Sequence, residues 1–333
     1  MMYTLNDLME YFEKNFKYSA VKIKNPGKYL YEVFKDTEDK YIDLIVRRLH
    51  EVKCGFVNSK RNCFDHNFNT ISITLNTKTD NETIYHEFGH LIDFIRMDVI
   101  KEDVWTKTIH SIQKSNDITL SNGKSLNDTV KNELKLKGKA IYQELIGKYN
   151  DIRSQILTEE EIKLCEYHKE LYKELKILRR LTRERRYFFP RHETGSVYNL
   201  DLTKFKSVEA AQQAIDRKKE VELEFNEGRT YFKLLRKIEE SQLYKDFIYE
   251  NVVILDMLGS MYDLKIIVPT HTRGYYKSFG ALGSEFFANC FALKLCQNNL
   301  TIEKTKKYLL ESYSMFEELL EKIIDIPNDD VIK

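Results

Sequence analysis

The apolar positions in the first part of the chain recur at helical spacing. Between residues 29 and 52 they stand at Val33, Tyr41, Leu44, Ile45 and Leu49, close to the three-and-four spacing that lines one face of a helix. Only 4 Pro and 12 Gly interrupt the whole chain, which favours long helices. We therefore expect the chain to be mainly helical up to residue 53.

Two short segments that follow have a pattern typical of strands. Val52–Val57 is a short β-like run, and Ile71–Leu75 alternates apolar with polar residues and is rich in β-branched ones. Next comes Thr79–Glu82, a capping box with a hydroxyl at the first position and a carboxylate three residues later. The pattern predicts a small sheet and then a helix.

The middle of the chain has a coiled-coil-like pattern. From about residue 128 to 249, apolar residues recur at spacings of seven and four, as at Leu134, Ile141, Leu145, Ile152 and Ile156. Thr158–Glu161 is a second capping box, and a further helical stretch begins near Ser207. We predict long helices folded back on one another, with oligomerisation through the same apolar stripes as the alternative.

Together these patterns predict an α+β, mainly helical fold with a small sheet and a long helical insertion. The expected parts are residues 1–125 with the N-terminal helices, sheet and a motif helix, 126–249 as the insertion, and 250–333 as the C-terminal part of the core.

Composition narrows the range of partners and locations. The 333 residues hold 53 Lys and Arg against 52 Asp and Glu, a net charge of +1, which gives no general attraction to nucleic acid or anionic membranes. A basic and aromatic run at residues 179–189 is more typical of a solvated helix end than of a nucleic-acid site. The sequence lacks a transmembrane-length apolar run, a secretory signal and paired cysteine spacing, which favours the cytoplasm.

The strongest chemical signal is the run His86-Glu87-Phe88-Gly89-His90. On a helix, His86 and His90 lie one turn apart on one face and can share a metal ion, while Glu87 can reach a water on that metal. Ile84 and Phe88 lie on roughly the opposite face, which predicts a helix anchored in the core on one side and open to a cleft on the other.

A catalytic zinc needs a third protein ligand and one open position. Arg96 stands where a metzincin has its third His, and Asp93 fits better as a residue that orients a ligand. Glu285 is the remaining candidate, on a helix that Ser284 can cap. Asn289 shares its face and is expected to accept a hydrogen bond from a ligand imidazole. The ordinary alternative is that Glu285 is a first-turn carboxylate favoured by the helix dipole.

These motifs resemble a known group of enzymes. The stretch 86–93 together with 285–288 resembles the gluzincins related to anthrax lethal factor and the Pro-Pro endopeptidases. The intervening Gly259, His271, Tyr275 and Tyr276 also resemble zincin domains of prophage-encoded minor head proteins and related toxin-like proteins. Proteases that cleave repressors of mobile elements share the Glu-x-x-Ala-Asn pattern but have a shorter gap. The resemblance covers about residues 50–100 and 250–296.

The resemblance implies a zincin-like metallopeptidase core with Zn²⁺ held by His86, His90 and Glu285. It implies Glu87 as the general base. It also implies a tyrosine that stabilises the transition state; the family places it seven residues before the glutamate, where this chain has Ser278.

Three nearby side chains are candidates for that role, namely Tyr276, Tyr275 and His271. A peptide substrate is expected to add as a strand to Ile71–Leu75, where zincins place an edge strand.

The expected function is a zinc-dependent endopeptidase, associated with a prophage. The alternatives are a phage-type structural or scaffolding protein whose zincin core is ancillary or inactive, and an effector delivered to host cells. A virion-associated or delivered protein would be an exception to the cytoplasmic location.

Overall fold

The structure is a computed structural model of the full chain. It describes residues 2–15, 17–18, 26–49, 53–56, 63–65, 70–72, 81–96, 112–114, 123–182, 200–262, 264, 271, 273–277 and 280–325.

The chain divides into two compact units. Unit 1 comprises residues 1–143 and 248–333, and unit 2 comprises residues 144–247. Sequence patterns placed the start of the insertion at residue 126, but this position begins a 31-residue helix, α5 (Leu126–Ile156), whose first half belongs to unit 1. Because α5 is continuous across the unit boundary, the sequence has no signal for the end of a helix there.

Unit 1 begins with three helices, α1 (Leu5–Asn15), α2 (Pro26–Phe34) and α3 (Asp39–Leu49). The single apolar stripe between residues 29 and 52 is thus divided over two helices. The break follows Phe34, whose carbonyl accepts a hydrogen bond from the Thr37 N–H at 3.0 Å. Phe12 and Phe34 pack with Phe88 in edge-on or tilted geometry, with ring centroids 5.3–6.3 Å apart.

The described strands are two to four residues long. They are β1 (Lys17–Tyr18), β2 (Lys53–Phe56), β3 (Cys63–Asp65), β4 (Thr70–Ser72), β5 (Phe94–Arg96) and β6 (Ile112–Lys114). The first four pair in the order β1-β2-β4-β3, with β3 antiparallel to β4 and the other pairs parallel; β5 pairs with β6.

The expected α+β zincin-like fold is wrong as a description of this protein. The described chain is dominated by twelve helices of nine to 31 residues, and the core side chains that the structure describes lie almost entirely on them. Strands this short cannot form a sheet layer that buries a core by itself. The fold is therefore helical.

The expected edge strand is also wrong in its described part. Cys54 pairs with Ile71 on one side of β4, and Phe64 pairs with Ile71 on the other. Because both sides are paired, Thr70–Ser72 has no free backbone edge for a substrate strand. Residues 73–75 of that run lie outside the described residues.

Two helices from distant parts of the chain form the centre of unit 1. They are α4 (Asn81–Asp93) and α10 (Ala281–Leu295). At their crossing Gly89 faces Ala288 so closely that a Cβ at Gly89 would lie 2.6 Å from the Ala288 Cα. A glycine here lets the two backbones meet.

The remaining helices of unit 1 are α11 (Asn299–Tyr308), α12 (Leu310–Ile324) and the end of α9 (Gln242–Gly259). Buried Glu133 on α5 accepts hydrogen bonds from the Ser312 N–H and hydroxyl at 2.8 and 2.7 Å, which satisfies donors at the start of α12. Arg47 donates to the Ile324 carbonyl at the other end of α12, at 3.1 Å.

Unit 2 contains the end of α5 and the helices α6 (Glu159–Leu181), α7 (Val208–Glu227) and α8 (Arg229–Glu240). The capping box at Thr158 and Glu161 and the helix start at Ser207 are confirmed. The leucine stripe of α6 packs on Val221 of α7. In the basic run, Arg179 is paired with Glu222, and residues 183–189 lie outside the described residues.

None of the helices in the described part of the chain is both long and apolar enough to cross a membrane.

Candidate metal centre

Helix α4 presents two histidines on one face. The Nε2 atoms of His86 and His90 are 3.1 Å apart, and their side chains are 18% and 14% exposed. Ile84 and Phe88 on the other side are fully buried. The amphipathic pattern thus fixes the helix in the core and leaves its histidine face partly accessible.

Helix α10 brings Glu285 to this pair of imidazoles. Its Oε2 lies 3.3 Å from Nε2 of His86, and its Oε1 lies 3.5 Å from Nε2 of His90. Ligand atoms bound about 2.0–2.1 Å from a tetrahedral zinc are about 3.3 Å from one another. The Nε2–Nε2 distance of 3.1 Å and the Nε2–carboxylate distances of 3.3 and 3.5 Å, which involve different oxygens of Glu285, are close to this value, and one ligand atom from each residue lies within 4.8 Å of the other two.

The burial of Glu285 is a second feature that fits a cation. The residue is 1% exposed, and its Oε2 has no donor in hydrogen-bonding geometry among the described residues. A buried carboxylate is costly unless it is paired or ligates a metal. Two imidazoles and a carboxylate are a donor set that favours zinc.

The charges of the site already favour an ionised carboxylate. Burial alone would raise the pKa of Glu285, but His90, His86 and His271 hold that pKa well below its usual range. Burial lowers the pKa of His86, yet its interactions with Glu285, Glu87 and Asp256 raise it to about 9. A cation bound between these groups would take the place of the proton on His86, because an imidazole must be neutral to ligate a metal.

Ser284 orients one of the histidines. Its hydroxyl lies 3.2 Å from Nδ1 of His90 and donates to Oδ2 of the fully buried Asp93 at 2.8 Å. Asp93 therefore reaches His90 through Ser284. The expectation that Ser284 caps its helix is wrong, because α10 begins three residues earlier, after Gly280 with φ 67°.

Glu87 and Tyr275 lie close to the three candidate ligands. Glu87 directly follows His86 on α4, and its charge contributes to the raised pKa of both His86 and Tyr275. The Tyr275 hydroxyl donates to Oε1 of Glu285. Burial, together with the Glu285 charge, raises the pKa of Tyr275 far above its usual value, so the phenol keeps its proton.

Tyr276 has a different role from Tyr275. Its hydroxyl donates to the backbone carbonyl of Asp256 at 3.1 Å, which fixes it to α9. Ser278, at the position of the family's tyrosine, lies outside the described residues.

His271 lies at the rim of the site, stacked on Tyr275 with ring centroids 4.3 Å apart. Its Nδ1 is 3.2 Å from Oδ1 of Asp256 and 3.8 Å from Oε2 of Glu285. The hydrogen bond to Asp256 raises the pKa of His271, against the effect of burial.

Asn289 does not accept a hydrogen bond from a ligand imidazole. Instead its amide donates to Oδ2 of Asp256 at 3.2 Å. Asp256 was absent from the sequence-based candidates, although it is the only charged residue in the apolar stretch Val252–Gly259 of α9. A lone carboxylate in such a stretch signals a paired or functional group.

No protein-family model matches the chain, and no curated protein or solved structure matches it either. The geometry of the site is therefore the basis for assigning a function.

Proposed function

We propose that this protein is a zinc-dependent endopeptidase whose metal is held by His86, His90 and Glu285. The observation that carries the proposal is that two helices bring the Nε2 atoms of His86 and His90 within 3.1 Å of each other and within 3.3–3.5 Å of the Glu285 carboxylate oxygens, with a partly accessible histidine face beside them. Three protein ligands and an open position are typical of catalytic zinc, whereas structural zinc has four protein ligands.

When bound, zinc would supply a Lewis acid that polarises a carbonyl and lowers the pKa of water at its open position towards about 7. Glu87 follows the proposed ligand His86 directly on α4, and its carboxylate would remove a proton from that water. The water oxygen adds to the peptide carbonyl carbon, the C–N bond breaks, and the proton held by Glu87 passes to the leaving amine.

Two further side chains support this chemistry. Tyr275 keeps its proton and donates to Glu285, so it stabilises the carboxylate in the ligating position. Ser284 and Asp93 keep Nδ1 of His90 engaged, which leaves Nε2 for the metal.

The test is hydrolysis of an unfolded protein and a peptide library by the purified full chain. Cleavage is expected to stop with a chelator and to return with added zinc. Glu87→Gln is expected to keep the zinc content of the wild type while kcat falls by at least about 100-fold, the contribution typical of general acid–base catalysis.

Glu321→Gln is the matched control, because Glu321 is an exposed carboxylate on α12. Its activity should equal that of the wild type. Full hydrolysis by the zinc-loaded Glu87→Gln variant would rule out the proposed mechanism.

A further inference from the structure

Asn127, in the first turn of α5, contacts the helix that carries Glu285. Its Oδ1 accepts a hydrogen bond from the backbone N–H of Gly283 at 3.1 Å, across 156 positions of the chain. Gly283 is the third residue of α10 and stands two residues before Glu285. The contact therefore ties the start of α5 to the first turn of the helix that supplies the proposed third ligand.

This hydrogen bond takes the place of an ordinary helix cap. The N–H groups of the first turn of a helix have no carbonyl partner within that helix. The residue before the helix usually offers a side-chain oxygen to the N–H two or three positions later. In α10 that residue is Gly280, which has no side chain to offer. Asn127 supplies the missing oxygen from another helix.

Asn127 belongs to a part of α5 that other contacts hold in place. The Ser125 hydroxyl accepts the Asp128 N–H at 3.2 Å and donates to the Asp128 carboxylate at 2.8 Å, which caps the start of α5. Further along the same helix, Glu133 accepts hydrogen bonds from Ser312 at the start of α12. The start of α5 is thus fixed within unit 1 independently of Asn127, and it can hold α10 in turn.

Two contacts, one on each side of Glu285 along α10, determine where its carboxylate lies. Three residues after it, Ala288 meets Gly89 so closely that a Cβ at Gly89 would lie 2.6 Å from the Ala288 Cα. Two residues before it, Gly283 is held by Asn127. A helix held at one point can turn about that point, whereas two points fix its direction. A metal ligand must be held within about 0.5 Å of its productive position.

We propose that Asn127 is a positioning residue for the metal site, which places Glu285 beside His86 and His90 by capping α10. The inference rests on the zinc site of the proposed function. Without the Asn127 oxygen, the Gly283 N–H loses its partner and the first turn of α10 is no longer held. Because Glu285 directly follows that turn, its carboxylate then shifts relative to Nε2 of both histidines.

The test compares the zinc affinity of three variants of the purified full chain, measured by competition with a chromophoric chelator. Asn127→Ala removes the acceptor and is expected to lower the affinity by about 10-fold, at the lower end of the loss typical of partners that support metal ligands. Asn127→Asp keeps an acceptor oxygen in the first turn of α5 and beside that of α10, where a negative charge is favourable, and its affinity should equal or exceed that of the wild type. Asn132→Ala is the matched control, because Asn132 is an exposed asparagine on α5, and it should leave the affinity unchanged.

A second readout separates positioning from a purely structural cap. Loss of any helix cap lowers the midpoint of urea unfolding, so that change alone does not support the inference. The visible absorption of cobalt(II) bound in place of zinc depends on the number and arrangement of its ligands. Asn127→Ala should shift and weaken the cobalt bands, whereas Asn127→Asp and Asn132→Ala should keep the spectrum of the wild type. Circular dichroism without denaturant verifies that each variant is folded.

The outcomes separate this inference from the proposed function. A wild type that binds no zinc would overturn both. Unchanged zinc affinity and an unchanged cobalt spectrum in Asn127→Ala would overturn only the positioning role, whether or not the urea midpoint falls, and so would an Asn127→Asp variant that loses as much affinity as Asn127→Ala. Lower affinity in Asn127→Ala with recovery in Asn127→Asp supports the inference even if the wild type cleaves no peptide, an outcome that would overturn only the endopeptidase proposal.

Discussion

Nδ1 of His90 lies 3.2 Å from the hydroxyl oxygen of Ser284, a residue 194 positions away in the chain. The same hydroxyl donates to Asp93, so one residue of α10 joins His90 to the last residue of α4. In the proposed metal site this relay leaves Nε2 of His90 for the zinc. Metal binding would then depend on the packing of α4 on α10.

Ser284→Ala should therefore weaken zinc binding although it removes no ligand. The affinity is expected to fall by about 10–100-fold, as for other partners that orient ligating histidines. Competition with a chromophoric chelator measures it. Ser154→Ala, at an exposed serine of α5, is the control, and equal zinc affinity in both variants would show that the Ser284 relay has no role.

Gly89→Ala should destabilise the protein and lower its zinc content. The new Cβ would lie 2.6 Å from the Cα and 2.9 Å from the carbonyl oxygen of Ala288, so the two helices must separate. Such overpacking costs about 1–3 kcal/mol of unfolding free energy. Urea unfolding and metal analysis measure the two effects.

Gly147→Ala is the matched control for this change. Gly147 lies in the interior of α5, and a Cβ there meets nothing within 4 Å. It should raise the unfolding free energy by about 0.5–1 kcal/mol, because alanine loses less conformational entropy than glycine in a helix. Gly89→Ala with the same gain as Gly147→Ala would contradict the close helix contact.

The histidine pair of the site was predictable because both residues lie within one turn of the same helix. The four-residue spacing of His86 and His90 determines their common face, and the opposite apolar stripe determines which face is accessible. Glu285 could be named as a candidate from the residues of its own helix, but no local pattern relates a residue on α10 to one on α4, so its position beside the histidines could not be derived from spacing. Asp256 was missed for the same reason: its partners His271 and Asn289 are 15 and 33 positions away.

The fold was predicted less well than the site. Helices with strong caps, such as α6 after Thr158, begin where their sequence indicates. The contribution of the sheet to the core was overestimated. The alternation in Ile71–Leu75 indicates a local preference for a strand, whereas the contribution of a sheet to the core depends on strand length and on pairing with strands that are distant in sequence. The unit boundary inside α5 has no sequence signal because the helix is continuous.

His168 should make the stability of the protein depend on pH. Its ring is buried and stacks on Tyr231 with centroids 4.9 Å apart, and its Nδ1 has no hydrogen-bond partner among the described residues. Burial lowers the pKa of His168. The unfolded chain therefore binds more protons below about pH 6.5. His168 therefore makes its full contribution to the unfolding free energy above about pH 6.5. That contribution decreases as the pH falls from there through the lowered pKa.

His168→Phe should remove this dependence. Urea unfolding between pH 5 and 8 gives the free energies, and the difference between wild type and variant isolates His168 from other titrating groups. The difference should favour the variant increasingly as the pH falls below about 6.5. A difference that is constant with pH would contradict a depressed pKa at His168.

The zinc content of Glu285→Gln tests the central claim most directly. The variant keeps the shape of the side chain and removes the charge of the proposed third ligand, and Glu321→Gln again serves as the control. After dialysis against a weak chelator, we predict one zinc per chain in the wild type and the control, and far less than one in Glu285→Gln. A wild type without zinc, or a Glu285→Gln variant that retains one zinc with unchanged affinity, would contradict the account.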